Sequence, residues 1–320
     1  MKGINPYLQS KEDIQSIITG ISSGMKEQLV AGLSGSARSL LVSIIHESAH
    51  KPILLVTHQL VQAQQLYDDL SDFAGEEEIY LYPVNELIAS EIAVASPELR
   101  SQRIEALSAW SKKQSGILIA PVAALKRMLP PPHYWERYQL PFKLGEEINM
   151  NSYIQSLVDM GYERAPMVNA PGEFSMRGGI MDIYPVTEEY PVRIELFDEE
   201  VDSIRYFDAD SQRSLEKLEA ITVDPATELL LTEEDMVTGA ERLSDALQES
   251  LKKVKTTEAK ESLYDTITQD IERLNNLERF SEMHKYTGYL YNNPASLLDY
   301  LANQGLIVLD ELSRIQETAT

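Results

Sequence analysis

The chain has 320 residues, 43 % of them hydrophobic, and a formal net charge of −23. That is enough for two or three domains with real cores, and the hydrophobic content excludes a disordered chain. The charge speaks against gripping DNA by its phosphates, which needs clustered Lys and Arg, and favours protein partners with basic patches. There is no cysteine, so disulfides and thiolate metal sites are excluded and a reducing, cytoplasmic compartment is expected. The start, "MKGINPYLQSKED", turns polar and acidic at once, which is not the pattern of a secretory leader. No apolar run approaches the roughly 20 residues that span a bilayer, so no membrane partner is expected.

In chain order, "EQLVAGLSGSARSLLVSIIHESAHKPILLVTH" predicts strand, loop, helix and strand. Leu29 to Ala31 is the short apolar entry, and Leu40, Leu41, Ile44 and Ile45 recur at helical spacing. Pro52 ends that helix by pushing the residue before it out of the α region. Ile53 to Val56 is a continuous apolar run, as in a buried parallel strand. A helix stripe of Ala63, Leu66, Tyr67, Leu70 and Phe73 follows, then strands at "IYLYP" and "GILIAPVAAL". This alternation predicts a doubly wound parallel sheet. Near Lys126 the pattern changes. After the proline-rich "MLPPPHYW" come "GEFSMRGGIMDIYP", "VRIELF" and "VDSIRYF", read as antiparallel hairpins turning at Gly178-Gly179 and Asp198-Glu199-Glu200. The last third reads as mostly helical. Leu243, Leu247 and Leu251 line one helix, and Leu263, Ile267, Ile271, Leu274 and Leu277 another; "GLIVLDE" closes as a buried strand ending in two carboxylates. The expected domains are 1–125, 126–213 and 214–320, the last returning to the first.

Three candidate sites stand out. "GLSGSARS", Gly32 to Ser39, has the length and rhythm of the phosphate-binding pattern G-x-x-x-x-G-K-[ST]. Its backbone N–H groups would wrap phosphates, its lysine would reach the outer ones and its hydroxyl would bind magnesium. Gly32, Gly35 and Ser39 fit, but Ala37 adds a methyl group where the second glycine belongs. Arg38 puts a long planar cation where the compact lysine belongs. The plainer alternative is an ordinary strand–helix turn of small residues. Asp310-Glu311, at the end of the last strand, sits where nucleotidases of this class place acidic residues, and tips the balance toward a nucleotide fold that has lost its chemistry.

The second candidate, His46-Glu47-Ser48-Ala49-His50, matches the zinc-protease pattern H-E-x-x-H. His50 falls in the last turn before Pro52, no third ligand follows, and a histidine near a helix C-terminus is favoured by the helix dipole alone. No metal is expected. The third is the arginine set Arg164, Arg177, Arg193, Arg205 and Arg213. In "VRIELF" the alternation puts Arg193 and Glu195 on a solvated face, where they pair with neighbours. Arg177 stands beside Gly178-Gly179 at a hairpin tip, close to Phe174 and Met176, a setting typical of interface anchors.

Several collinear blocks, among them "GLSGSARS", "LYPVNELIASEIAVASPELRSQRIEAL", "GYERAPMVNAPGEFSMRGGIMDIYP", "RIELFDEEVDSIRYFDADSQRS" and "LLDYLANQGLIVLDELSR", resemble the N-terminal region of the bacterial transcription-repair coupling factors. That region is itself similar to the excision-repair protein UvrB. UvrB keeps an intact phosphate loop and a tyrosine-rich DNA hairpin, and this sequence shows neither. The resemblance implies an α/β fold: a RecA-like (P-loop NTPase-type) parallel-sheet domain carrying an inserted small α+β domain, UvrB-like. It implies that the small domain binds UvrA, with Arg164 and Arg177 as charged anchors and Phe174 and Tyr184 as apolar contacts or core. It also implies that the family's ATP-driven translocase, its DNA contacts and its RNA-polymerase-binding domain lie outside this stretch. The expectation is a non-catalytic recruitment module with no cofactor. The rival reading is an active ATP-dependent DNA translocase.

Overall fold

A computed structural model describes residues 5–74, 78–84, 97–113, 115–301 and 305–319. Residues 85–96, within one of the blocks quoted above, lie outside the described residues. In chain order the first unit opens with α1 (Asn5–Gln9), α2 (Glu12–Ser22), α3 (Ala37–Ala49), β1 (Ile53–Thr57) and α4 (Leu60–Ala74). It continues with β2 (Ile79–Leu81), α5 (Pro97–Lys113), β3 (Ile117–Pro121) and a 3-10 turn at Val122–Lys126. Then come α6 (His133–Arg137), β4 (Leu140–Lys143), α7 (Met150–Asp159), β5 (Glu163–Arg164), β6 (Glu173–Arg177) and β7 (Ile180–Ile183). These are followed by β8 (Val192–Phe197), β9 (Glu200–Phe207), β10 (Ser214–Leu218) and β11 (Ala220–Val223). The helices α8 (Glu233–Lys253), α9 (Thr257–Asn275) and α10 (Thr287–Leu290) follow, and β12 (Leu306–Leu309) and α11 (Leu312–Ala319) close the chain.

Two compact units result: residues 1–127 together with 297–320, and residues 128–296. The first is built on a parallel sheet in the order β12-β1-β3-β2. Every residue of β1 and β3 is buried, because helices cover both faces, as the continuous apolar runs required. On one face Val42 and Ile45 of α3 and Leu66 and Leu70 of α4 pack onto Ile53, Leu55, Ile117 and Ile119.

Two strand expectations fail here. Leu29 to Ala31 forms no strand: Leu29 is 89 % exposed. Three apolar residues followed by Gly32 are too few to hold a place in the sheet without a wider apolar run. β12 is a half-exposed edge rather than a buried strand, with Leu306 and Val308 packed on the core and Ile307 and Leu309 outward.

The second unit carries a six-stranded sheet in the order β10-β9-β8-β7-β6-β5, and a small β11-β4 ribbon. All its pairings are antiparallel except β5 with β6. The expected boundary after Arg213 falls between β9 and β10, neighbours in one sheet. The charged, low-apolar sequence of β10 obscured its strand character. The β6–β7 turn is made by two glycines for different reasons. Gly178 has φ +62, which favours glycine, and a Cβ on Gly179 would lie 2.8 Å from the Leu196 carbonyl oxygen. The α8–α9 pair begins with a capping box between Thr232 and Asp235 and buries Met236, Leu243 and Leu274. Leu277 is not on the stripe of α9: it lies past the helix end, at φ +59 and 40 % exposed.

Candidate functional site

The glycine loop precedes α3, and residues 31–37 are exposed. Gly32 and Gly35 have positive φ (+85 and +56), so the loop keeps the backbone flexure of a phosphate cradle. Two amides at the start of α3 are bonded back to the loop. The Ala37 amide donates to the Ser34 carbonyl and the Arg38 amide to the Gly35 carbonyl, each at 3.3 Å. The Ser39 hydroxyl, fully buried, donates to Asp69 at 3.0 Å. Arg38 donates through Nη1 to both oxygens of Asp310, at 3.1 and 3.0 Å, and lies 3.9 Å from Glu311. His58 Nδ1 lies 3.8 Å from Glu311. Burial pushes the Asp310 carboxyl up, and the Arg38 guanidinium opposes that shift. The structure therefore brings Arg38, Asp310 and Glu311 together as partners of one another.

In the H-E-x-x-H stretch, His46 is engaged elsewhere and His50 closes the helix. His46 Nε2 contacts Glu78 at 3.0 Å and its Nδ1 faces the Lys51 carbonyl. His50 is the left-handed C-cap of α3, at φ +49.

The six-stranded sheet has one apolar and one polar face. Cross-strand register puts Ser175, Asp182, Arg193 and Arg205 in one row, and Arg177, Ile180, Glu195 and Ser203 in the next. Asp182, 1 % exposed, accepts from Arg177 Nη2 at 2.6 Å and from Arg193 Nε at 2.6 Å and Nη2 at 2.8 Å. Arg193 also reaches Gln212 and lies over the Phe207 ring. Arg205 bonds to Glu195 and to Ser203. Arg193 and Arg205 are thus locked into the face by neighbouring carboxylates. Arg177 is paired too, yet its side chain is 49 % exposed.

The hydrogen bonds from Arg205 hold the Glu195 carboxyl well below the usual carboxylate range, at about 2. A carboxylate whose pKa is depressed on folding stabilises the fold above its unfolded pKa, and that stability is lost as pH falls through the folded value. Glu195→Gln should lower the melting temperature slightly at pH 7 and flatten its decline between about pH 4.5 and 2. Melting curves against pH check this, and an unchanged acid limb contradicts it.

The other expected contacts separate. Phe174 is fully buried, so it is core and does not meet a partner. Tyr184 is half-buried, and its hydroxyl donates to the Glu189 carbonyl. Arg164 is exposed, but β5 pairs it with Phe174, which puts it on the face opposite Arg177.

One residue escaped the sequence reading. Phe197 is 76 % exposed at the end of β8. The register irregularity between β8 and β9 sets Leu196 opposite Val201, so the extra residue belongs to β9 and β8 keeps its alternation. Phe197 therefore shares the polar face with Arg193 and Glu195. Gly179 accepts from Leu196 at 2.8 Å, which binds the tips of the two hairpins together. Arg177 and Phe197 consequently stand at the same end of the same face. The signal was present in "VRIELF": if Val192, Ile194 and Leu196 point inward, Phe197 points outward.

Comparison with known proteins fits this architecture. Residues 140–229 match the UvrB interaction domain family, a stretch that runs from β4 through β11. The whole chain is 50 % identical over 317 residues to the transcription-repair-coupling factor of Bacillus subtilis (strain 168), covering 99 % of this chain and 27 % of that protein. It is 36 % identical over 307 residues to that of Staphylococcus aureus (strain MRSA252), covering 95 % and 25 %. It is 35 % identical over 333 residues to that of Staphylococcus haemolyticus (strain JCSC1435), covering 98 % and 27 %. A parallel α/β unit joined to a UvrB interaction domain defines a UvrB-homology module. The family to which the chain belongs is that of the transcription-repair-coupling factors, and it spans about a quarter of the length of these relatives.

Proposed function

We propose that this chain is a recruitment module of transcription-coupled excision repair, which binds UvrA and hydrolyses no nucleotide. The observation that carries the reading is the pairing of an exposed aromatic, Phe197, with a half-exposed arginine, Arg177, at one rigid end of the polar face of the UvrB interaction domain. Both side chains stand on strands, so ordering them costs little on binding. Aromatic and arginine side chains are the commonest interface hot spots. Arg177 keeps N–H groups beyond its bond to Asp182, which suits a carboxylate on the partner. Arg164, on the opposite face, is a rim residue at most. Calorimetric titration with UvrA tests the reading. The translocase, the RNA-polymerase contacts and the DNA contacts are proposed to belong to the remaining length of such proteins.

The loop supports the silent half of this reading. Two of the side chains that would meet phosphate and magnesium are bonded elsewhere, Arg38 to Asp310 and Ser39 to Asp69. The chain should show no ATP turnover, and Ala37→Gly with Arg38→Lys should not restore it, since the described residues form a single parallel α/β unit. A coupled ATPase assay decides this. Saturable hydrolysis abolished by Ser39→Ala would favour the translocase reading.

A further inference from the structure

The Arg38–Asp310 contact joins residues 272 apart in the chain. Arg38 is the second residue of α3, just past the glycine loop, and Asp310 directly follows β12. Asp310 is 9 % exposed and the Arg38 side chain 24 %. Arg38 Nε is buried without a hydrogen-bond partner, so the Asp310 side is where the guanidinium makes its bonds. The segment before the loop contributes no strand to the sheet, and the loop itself is exposed. Beside the Ser39–Asp69 bond to α4, the Arg38–Asp310 pair is the side-chain tie from the start of α3 to the residue that follows β12.

We infer that this ion pair is a built-in latch. Arg38 closes the loop onto the end of β12 and does, with no ligand, the holding that a nucleotide and its cation do in a working loop. The reason lies in charge. Asp310 and Glu311 are adjacent carboxylates, one of them buried, and a buried carboxylate without a counter-charge is strongly unfavourable. A working loop meets that need with a bound cation. Here a protein cation meets it permanently, so the loop geometry persists with nothing bound. The arginine is the group that displaces the ligand and also replaces it. The inference rests on the reading that the loop is catalytically silent.

The test is a double-mutant cycle on the whole chain with Arg38→Ala, Asp310→Ala and both together, read by denaturant unfolding. Amide hydrogen exchange is measured in the folded proteins at Ala37, Arg38 and Leu40, whose N–H groups bond to the loop carbonyls of Ser34, Gly35 and Ser36. Each single change should raise the unfolding equilibrium constant of the first unit roughly 30-fold, and the second change should add little once the first is made. These amides should exchange at least about tenfold faster in Arg38→Ala, with the six-stranded sheet unaffected and magnesium–ATP giving no protection. Should Arg38→Ala not fold, Arg38→Lys serves instead. It keeps the charge and loses the fork, and should give an intermediate rise in loop exchange. Additive costs in the cycle, or loop exchange equal to the parent's, would overturn the latch alone. ATP turnover by the parent would overturn the silent reading and the latch with it.

Discussion

Phe197→Ala should abolish most UvrA binding while leaving the fold intact. The ring is 76 % exposed, so its loss removes almost no buried area from the chain itself. In a complex it would be desolvated in full. Truncating such an anchor costs about 2–4 kcal/mol, or roughly 30- to 1000-fold in affinity. Arg177→Glu should do at least as much, because it places a negative charge where a carboxylate partner is expected and beside Asp182. Arg177→Ala should barely move the melting temperature, since Arg193 keeps Asp182 paired and half-exposed ion pairs contribute about 0–1 kcal/mol. Arg213→Ala and Arg164→Ala are the controls: Arg213 is exposed away from this end, and Arg164 lies on the other face. Calorimetry with UvrA, alongside melting curves for each variant, reads both halves. Parent-like affinity in Phe197→Ala and Arg177→Glu would return both residues to the class of solvated face residues.

The second large effect concerns stability. Asp182 is buried and accepts three charge-assisted hydrogen bonds from two arginines. Asp182→Ala leaves Arg193, whose side chain is 13 % exposed, as a cation without its counter-charge. Breaking a buried pair in this way costs about 3–5 kcal/mol. For a unit of this size that is a fall of roughly 6–20 °C in melting temperature. Asp182→Asn should cost less, since the amide oxygen still accepts one bond. UvrA binding should weaken as well, because Arg177 loses the bond that aims it. A melting temperature within a degree or two of the parent's would show that the arginines find other partners and that the polar face is not held by this carboxylate.

The parallel sheet was legible because its strands announce themselves. Ile53–Val56 and the "ILIA" of β3 are unbroken apolar runs buried on both faces, and α4 shows its stripe every third or fourth residue. The Gly-Gly hairpin was legible for a steric reason that the structure confirms at Gly178 and Gly179. Leu29–Ala31 misled, because a short apolar stretch before a glycine loop carries no information about whether a neighbouring strand accepts it. β10 was invisible because "SLEKL" shows no strict alternation, and strand character there comes from pairing with β9. Leu277 misled because helical spacing continues past the residue where the helix ends.

At the candidate sites, residue types were readable and commitments were not. Arg38, Asp310 and Glu311 were singled out one by one, but their mutual pairing depends on the fold bringing residue 38 to residue 310. Phe174 was left open between contact and core, and in β6 it alternates onto the core face. Phe197 was not singled out. Applying the same alternation one residue further would have placed it outside.

The most direct test of the account is a calorimetric titration of purified UvrA with the unmodified chain, run with and without magnesium–ATP on the chain's side. The account predicts a saturable heat of binding that Phe197→Ala removes, together with no ATP turnover by the chain alone. Absence of any saturable binding by the unmodified chain would contradict the central claim.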